Sequence, residues 1–182
     1  FAIRARWALA ITGVKLIIRE VSLKNKPKEL IKASKKGTVP VLITEKGEII
    51  DESIEIMRWA IKRKSKKVFF KERLNVDSER IKFLINNNDK QFKYHLDHFK
   101  YASKYKNIIK EEHRNEALKI LYILNREMLN TSSNSLQKWL VGDSESLADW
   151  AIWPFIRQFR NVDPISFDED KNLRSIHLWL NY

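Results

Sequence analysis

The 182-residue sequence contains no cysteine and only four glycines and four prolines. Without a thiol, no residue of this sequence can act as a redox nucleophile or form a disulfide bond. The glycines stand singly at positions 13, 37, 47 and 142, so no glycine-rich loop can cradle a phosphate group. No run of eighteen apolar residues occurs, which argues against a membrane span. We therefore expect a cytoplasmic protein with no membrane attachment.

Positive charge is in clear excess, because 35 Lys and Arg residues against 23 Asp and Glu residues give a formal net charge of +12. Such a charge raises the question of a nucleic-acid or anionic-lipid partner. The densest basic cluster consists of Lys62, Arg63, Lys64, Lys66 and Lys67, and it is closely followed by Phe69, Phe70, Lys71 and Arg73. The cluster falls where the sequence pattern changes, which favours a solvated connector over a polyanion-binding surface. We expect no nucleic-acid partner.

A proline inside an apolar stretch marks the most informative part of the sequence, residues 36–54. Proline removes a backbone donor, so Pro40 belongs at the start or the edge of a strand. A tight turn at Gly47 then leads into a return strand. Glu52 and Ser53 begin an amphipathic helix, whose free N–H groups favour an anion. Each piece alone is common in purely structural settings, but together they suit a small peptide with a free carboxylate.

The rest of the first sixty residues predicts a small α/β domain. Residues 1–12 have helical periodicity, and Gly13 is placed to end that helix. Residues 15–21 form an apolar run typical of a buried strand, and residues 27–34 predict a short helix with proline at its start. With a first strand allowed for, the predicted order is β-α-β-α-β-β-α.

Four ordered blocks in this domain form a recognisable pattern. The blocks are Phe1, Ala2, Arg4 and Arg6; then Leu23, Lys24, Asn25, Lys26 and Pro27; then Gly37, Val39, Pro40, Val41 and Leu42; then Glu52 and Ser53. Together they resemble the thioredoxin-like domain of the glutathione S-transferases, most closely the omega-like and related bacterial branch. Four blocks in order are far more specific than any one of them.

The resemblance implies that this domain binds glutathione. The backbone of Val39, ahead of a cis Pro40, would pair with the cysteinyl part of the peptide. Glu52 and Ser53 would hold the γ-glutamyl end, and Lys26 would reach the glycyl carboxylate. The predicted glutathione-binding residues are Phe1, Leu23, Lys26, Val39, Pro40, Glu52 and Ser53.

The catalytic residue of the family pattern has no counterpart in the sequence. Family members have a strand and a Cys-Pro-Phe or serine-containing turn, which we expect to lie just upstream of Phe1, so we interpret the sequence as a truncated fragment. A cysteine there would be stabilised as a thiolate, whereas a serine would hydrogen-bond to the thiolate of glutathione. Three functions stay open: a cysteine-type thiol transferase or reductase, a serine-type conjugating transferase, and a non-catalytic interaction module for protein or RNA.

Long helical periodicity replaces the hairpin signals after the basic connector. Helices are predicted over about 77–101 and 106–129, as in an antiparallel bundle. The resemblance places a second substrate in a cleft lined by the first of these helices, with Phe92 and Tyr94 as candidates. The predicted division is a thioredoxin-like domain at residues 1–62, a connector at 63–75 and an all-helical domain at 76–182.

Ser146 and Asp149 stand three positions apart before an apolar run, which is the spacing of a capping box. The glutathione S-transferase helical domain has a similar cap, so we expect a structural role. His95 and His98 are also three apart, but no further histidine or cysteine completes a metal shell, and we predict no metal site. The expected partners are glutathione as co-substrate, a small electrophile or disulfide, and a second copy in a homodimer.

Overall fold

The computed structural model describes residues 1–64, 78–130 and 139–181. The chain divides into two compact units, residues 1–72 and 73–182. The first unit combines helices with a two-stranded sheet, and the described part of the second unit is helical. This contrast matches the change of pattern in the sequence.

The first unit is built around a short β-hairpin and the helices that flank it. Its described elements are α1 (Ala2–Ile11), α2 (Lys28–Ala33), β1 (Leu42–Ile43), β2 (Ile49–Ile50) and α3 (Ser53–Lys64). The two strands are antiparallel, with Leu42 opposite Ile50. Gly47 closes the turn with a φ of +77°, a conformation that glycine adopts without strain. The predicted hairpin is confirmed.

Helices α1 and α3 pack against each other in the first unit. Ala5 and Ala8 of α1 and Ala60 of α3 are fully buried. Such small side chains let two helices approach closely, and the larger Ile56 and Met57 fill the space beside them. The contact fixes the start of α3 relative to α1.

Residues 15–21 do not form the buried strand that the sequence predicts. They have no regular secondary structure, and the side chain of Ile17 is 92% exposed. A strand needs a neighbour for its backbone groups, and in the described residues β1 and β2 pair with each other instead. The apolar run therefore lies on the surface, and the order of the described elements is α-α-β-β-α.

The second unit consists of helices and short helical turns in its described residues. They are α4 (Glu79–Asn87), a π-helical turn (Asn88–Phe92), α5 (Lys93–Lys100), a 3₁₀ turn (Ala102–Lys104), α6 (Lys110–Asn130), α7 (Leu147–Arg160), α8 (Pro164–Glu169), a second 3₁₀ turn (Lys171–Leu173) and α9 (Arg174–Leu180). The helices that the sequence predicts before and after residue 105 are both present. Among the described helices, none combines the length and the apolar character that a membrane span requires.

Among the described helices of the second unit, α7 contributes the most buried residues, and it is in contact with α4, α5 and α8. The ring of Phe159 lies 5.7 Å from that of Phe92, 5.3 Å from that of Phe99 and 6.1 Å from that of Phe167. These centroid distances are typical of favourable aromatic pairs. An aromatic core thus joins α7 to its neighbours.

Candidate functional site

A loop with a cis peptide bond leads into the hairpin of the first unit. The bond between Val39 and Pro40 is cis, as predicted, and both residues are half-buried. Two positions earlier, Gly37 has a φ of +58°, and a Cβ atom there would lie 2.7 Å from Cδ1 of Ile31 and 3.4 Å from Nζ of Lys26. The Lys26 ammonium group therefore lies over the loop that precedes Val39.

The start of α3 presents a carboxylate on the surface of the same unit. Glu52 accepts the N–H of Ile56 through its backbone carbonyl, at 3.0 Å, as a residue at a helix start does. Its side chain is exposed and forms an ion pair with Lys36. The hydrogen bond to Glu52 raises the pKa of the Lys36 ammonium, and the charges of Asp51 and Glu52 add to the effect.

The side chain of Ser53 is hydrogen-bonded to a buried arginine. Nε of Arg4 donates a hydrogen bond to Oγ of Ser53 at 3.0 Å, and the two residues are only 2% and 4% exposed. The guanidinium carbon of Arg4 also lies 4.8 Å from the centre of the Phe1 ring. Arg4 thereby joins Phe1 and Ser53, two predicted site residues at distant positions in the sequence.

A second, partly buried hydrogen bond ties α2 to the residues before α3. Oγ of Ser34 donates to a carboxylate oxygen of Asp51 at 2.8 Å, and Ser34 is buried. Because Ser34 directly follows α2, the bond fixes the loop that carries Lys36 next to Glu52. Leu23, by contrast, lies in the exposed stretch between α1 and α2, outside this hydrogen-bonded group.

The burial of Arg4 could have been predicted from its position in α1, although an arginine is usually exposed. Arg4 stands four positions before Ala8 and therefore lies on the same buried face of α1. A charged residue on a buried helix face needs a polar partner, and Ser53 supplies one. The sequence does not reveal which acceptor that would be, nor that Lys36 would pair with Glu52.

The predicted second-substrate residues of the second unit have different environments. Phe92 is 2% exposed and its ring contacts that of Phe159, so it packs in the core of the second unit, and its role in lining a cleft stays a prediction. The sequence places Phe92 on the same apolar stripe as Leu96, which is also buried. Tyr94 is 52% exposed, and its ring contacts the rings of His95 and His98.

The capping box that the spacing of Ser146 and Asp149 predicts is present at the start of α7. The buried carboxylate of Asp149 accepts hydrogen bonds from the backbone N–H and the hydroxyl of Ser146, from the N–H of Leu140 and from Nε1 of Trp179, at 2.6 to 2.8 Å. Burial raises the pKa of this carboxyl, and these hydrogen bonds offset part of the effect. The group has a structural role.

The basic cluster is only partly described by the structure. Lys62 and Arg63 are exposed, and Arg63 pairs with Glu45 at 2.9 Å and lies over the ring of Trp59. The side chain of Lys64 and the predicted connector beyond it, up to residue 75, lie outside the described residues.

Two family models match the chain. The glutathione S-transferase N-terminal domain matches residues 1–63, and the glutathione S-transferase C-terminal domain matches residues 88–179. The chain therefore belongs to the glutathione S-transferase family. Its fold is the one predicted, a thioredoxin-like domain followed by an all-helical domain. A comparison with curated protein sequences gave no match.

Solved structures of the family have the same fold at low sequence identity. A Tau class glutathione S-transferase from mango, Mangifera indica, is 18% identical, with a TM-score of 0.74 over 98% of this chain and 81% of its own. Glutathione transferase Omega 3C from Trametes versicolor is 16% identical, with a TM-score of 0.72 over 99% and 78%. A family member from Pseudomonas fluorescens, solved with two glutathione molecules bound, is 17% identical, with a TM-score of 0.73 over 98% and 82%. Identities this similar do not select a branch, so the omega-like assignment stays a prediction.

Proposed function

We propose that this chain binds glutathione in its first unit and uses it as co-substrate, as a glutathione transferase or a thiol transferase. The observation that carries the proposal is the start of α3, where Glu52 presents an exposed carboxylate beside Ser53, which Arg4 holds in place. Membership of the glutathione S-transferase family supports it, as does a structural neighbour solved with glutathione.

The γ-glutamyl end of glutathione has an ammonium group and a carboxylate on the same carbon atom. The Glu52 carboxylate suits the ammonium group, and the free N–H groups at the start of α3 favour the carboxylate. Lys36 forms an ion pair with the Glu52 carboxylate. Because both side chains are more than half exposed, the ligand can displace Lys36 at small cost.

The remaining part of the peptide extends along the loop before the hairpin. The backbone of Val39 would pair with the cysteinyl part, as the family resemblance implies. Lys26 would bind the glycyl carboxylate, and its position over Gly37 supports this role because that places a positive charge beside the same loop. All these contacts come from the first unit.

The chemical step needs a group that activates the thiol of glutathione. In the family pattern this group is a cysteine or a serine in the turn that starts the first helix. A serine would stabilise the glutathione thiolate by hydrogen bonding. A cysteine thiolate would instead attack the glutathionyl sulfur of a disulfide substrate, forming a mixed disulfide with the glutathionyl part and releasing the rest of the substrate as a thiol; the thiolate of a second glutathione would then free the cysteine and leave as glutathione disulfide. The proposed second substrate is a small electrophile or a disulfide, and we propose a homodimer as the assembly.

Isothermal titration calorimetry with glutathione tests the proposal. The variant carrying Glu52→Ala and Ser53→Ala loses charged hydrogen bonds to the ligand, which typically cost about 1.5 to 3 kcal/mol. We therefore expect the dissociation constant to rise by about one to two orders of magnitude. A wild-type chain that binds no glutathione would overturn the proposed function.

A matched control separates this site from general effects on α3. Glu55 is also an exposed carboxylate in the first turn of α3, but it pairs with Arg58. Glu55→Ala should leave the affinity for glutathione unchanged. Equal losses in Glu55→Ala and in the double variant would remove Glu52 and Ser53 from the proposal, whereas the wild-type titration would still decide on glutathione binding.

A further inference from the structure

Three of the four histidines of the chain meet in the second unit, on two helices far apart in sequence. Nδ1 of His95 in α5 lies 3.0 Å from Nδ1 of His113 in α6. His98 stacks on His113 on one side, at 4.6 Å between ring centres, and on Tyr105 on the other, at 4.0 Å. The rings thus join α5, α6 and the connecting segment that contains Tyr105.

The contact between His95 and His113 restricts how many protons the pair can hold. Two Nδ1 atoms at 3.0 Å form a hydrogen bond only if one of them has a proton and the other has a free lone pair. One imidazole must therefore be neutral. If both imidazoles of the pair are protonated, no acceptor is left and two positive charges are in contact, so the hydrogen bond is replaced by repulsion.

His98 is held by its own helix. Its Nδ1 lies 2.8 Å from the backbone carbonyl oxygen of Tyr94, and because a carbonyl only accepts, this nitrogen must donate. The His98 ring, fixed in this way, stacks directly on the ring of His113. The Tyr94 ring contacts all three histidines and lies at the edge of His95 and His113.

Charged groups from α6 also face the cluster. Glu112 and Glu116 lie near His113, and Glu116 is held by Lys119 at 2.6 Å. Partial burial lowers the pKa of His95, with the charges of His113 and His98 adding to it and Glu116 opposing it. Partial burial and the charge of His98 likewise lower the pKa of His113, against the two glutamates. Repulsion and burial outweigh the carboxylates.

Other uses of this cluster have less support in the structure. In the described parts of the chain, no group of three or more His, Cys, Asp or Glu side chains has an arrangement that could hold a metal ion. The cluster has, however, a proton-dependent hydrogen bond at its centre, between two helices that pack against each other.

We propose that His95, His98 and His113 form a proton-sensitive joint, which holds α5 and the segment with Tyr105 against α6. The joint is closed as long as the pair of His95 and His113 has at most one proton more than two neutral imidazoles. It loosens as further protons bind in mildly acidic solution. The direction of this pH dependence follows from the linkage between proton binding and stability. Because the lowered pKa values of His95 and His113 mean that these two residues bind protons more weakly in the folded chain, the unfolded chain takes up more protons, and stability falls as the pH drops through the ordinary histidine value of 6.5. The inference does not depend on glutathione binding.

Proton NMR titration of the histidine ring signals tests the coupling at the centre of the joint. Single substitutions assign the ring signals of the four histidines. In His113→Asn the amide replaces the ring nitrogen but takes up no proton, so we expect the pKa of His95 to rise towards its ordinary value. His177→Gln is the control, because His177 contacts Phe167 outside the cluster, and it should leave the titration of His95 unchanged. An unchanged pKa of His95 in His113→Asn would overturn the proposal.

Hydrogen exchange measures the loosening itself, in the wild-type chain. After correction for the intrinsic pH dependence of exchange, protection of the amides in residues 93–105 should fall roughly three- to tenfold between pH 7 and pH 5. The fall should be absent in the variant with His95→Asn and His113→Asn and present in His177→Gln. Equal protection of the wild-type segment at the two pH values would also refute the joint.

Discussion

Two helices in this molecule begin with the same kinds of residue, but these residues have different roles. At the start of α3, Glu52 and Ser53 follow an aspartate, and the Glu52 carboxylate faces solvent with Lys36 as its partner. At the start of α7, Ser146 and Asp149 form a capping box, and the Asp149 carboxylate is buried with donors on all sides. Both helix starts combine an acidic residue with a serine.

The difference lies in what the polar atoms have as partners. The Asp149 carboxylate accepts four hydrogen bonds from donors of the chain itself, so a ligand could bind to it only if these hydrogen bonds were broken. Glu52 is held by an exposed lysine, which solvent or a ligand can replace at little cost. An acidic residue at a helix start therefore indicates a binding site only where its partner is replaceable.

The largest expected effect is at the buried cap. Asp149→Ala removes the acceptor of hydrogen bonds from Leu140, Ser146 and Trp179 and leaves these buried donors unpaired. We expect a loss of about 3 to 5 kcal/mol in the free energy of unfolding, measured by urea denaturation. Asp143→Ala, an exposed aspartate in the same loop, should change it little. Similar losses in both variants would contradict the structural role of Asp149.

The second effect tests the buried support of the candidate site. Arg4→Met keeps much of the side-chain volume but removes the donor to Ser53, and it should lower the free energy of unfolding by about 1.5 to 3 kcal/mol. Arg6→Met is the matched control, because Arg6 is in the same helix but forms an exposed ion pair with Glu20. If denaturation curves of the two variants coincide, Arg4 does not support Ser53.

A smaller loss is expected from the other half of the capping box. Ser146→Ala removes the hydroxyl that donates to Asp149 but keeps the backbone N–H bond. Loss of a cap costs about 1 kcal/mol, so the midpoint of urea denaturation should shift less than in Asp149→Ala. Ser144→Ala, outside the box, serves as reference. The affinity for glutathione should be the same in both variants, and a specific loss in Ser146→Ala would contradict a purely structural cap.

The smallest effect on stability is expected at the exposed ion pair. Lys36→Gln frees the Glu52 carboxylate, and we expect no measurable change in the denaturation midpoint because exposed ion pairs contribute little. Glutathione should bind at least as tightly as to the wild-type chain, since its ammonium group no longer competes with Lys36. Lys35→Gln provides the comparison. Weaker binding in Lys36→Gln alone would mean that Lys36 contacts the ligand itself.

Local rules explain which features the sequence made predictable. The hairpin turn at Gly47 and the capping box at Ser146 each depend on residues close in sequence, so their spacing contains the information. The division into an α/β unit and a helical unit follows from periodicity in the same way. The cis bond at Pro40, by contrast, is expected from the family resemblance.

Features that depend on distant partners could not be predicted. Arg4 and Ser53 are 49 residues apart, and His95 and His113 are 18 apart, so only the folded chain pairs them. The misassigned strand at residues 15–21 has the same origin, because an apolar run becomes a strand only if another strand lies beside it. Residue type in these cases indicates a need for a partner without identifying it.

The exposed apolar stretch around Ile17 has a practical consequence for any measurement of assembly. Neighbouring Leu16, Ile17 and Ile18 all have exposed side chains, and exposed apolar surface of this kind promotes self-association as concentration rises. A sedimentation experiment on this chain could therefore report a dimer that adheres through this stretch and has nothing to do with the predicted homodimer. Repeating it with Ile17→Ser and Ile18→Ser separates the two, because only adhesion through the stretch disappears in that variant.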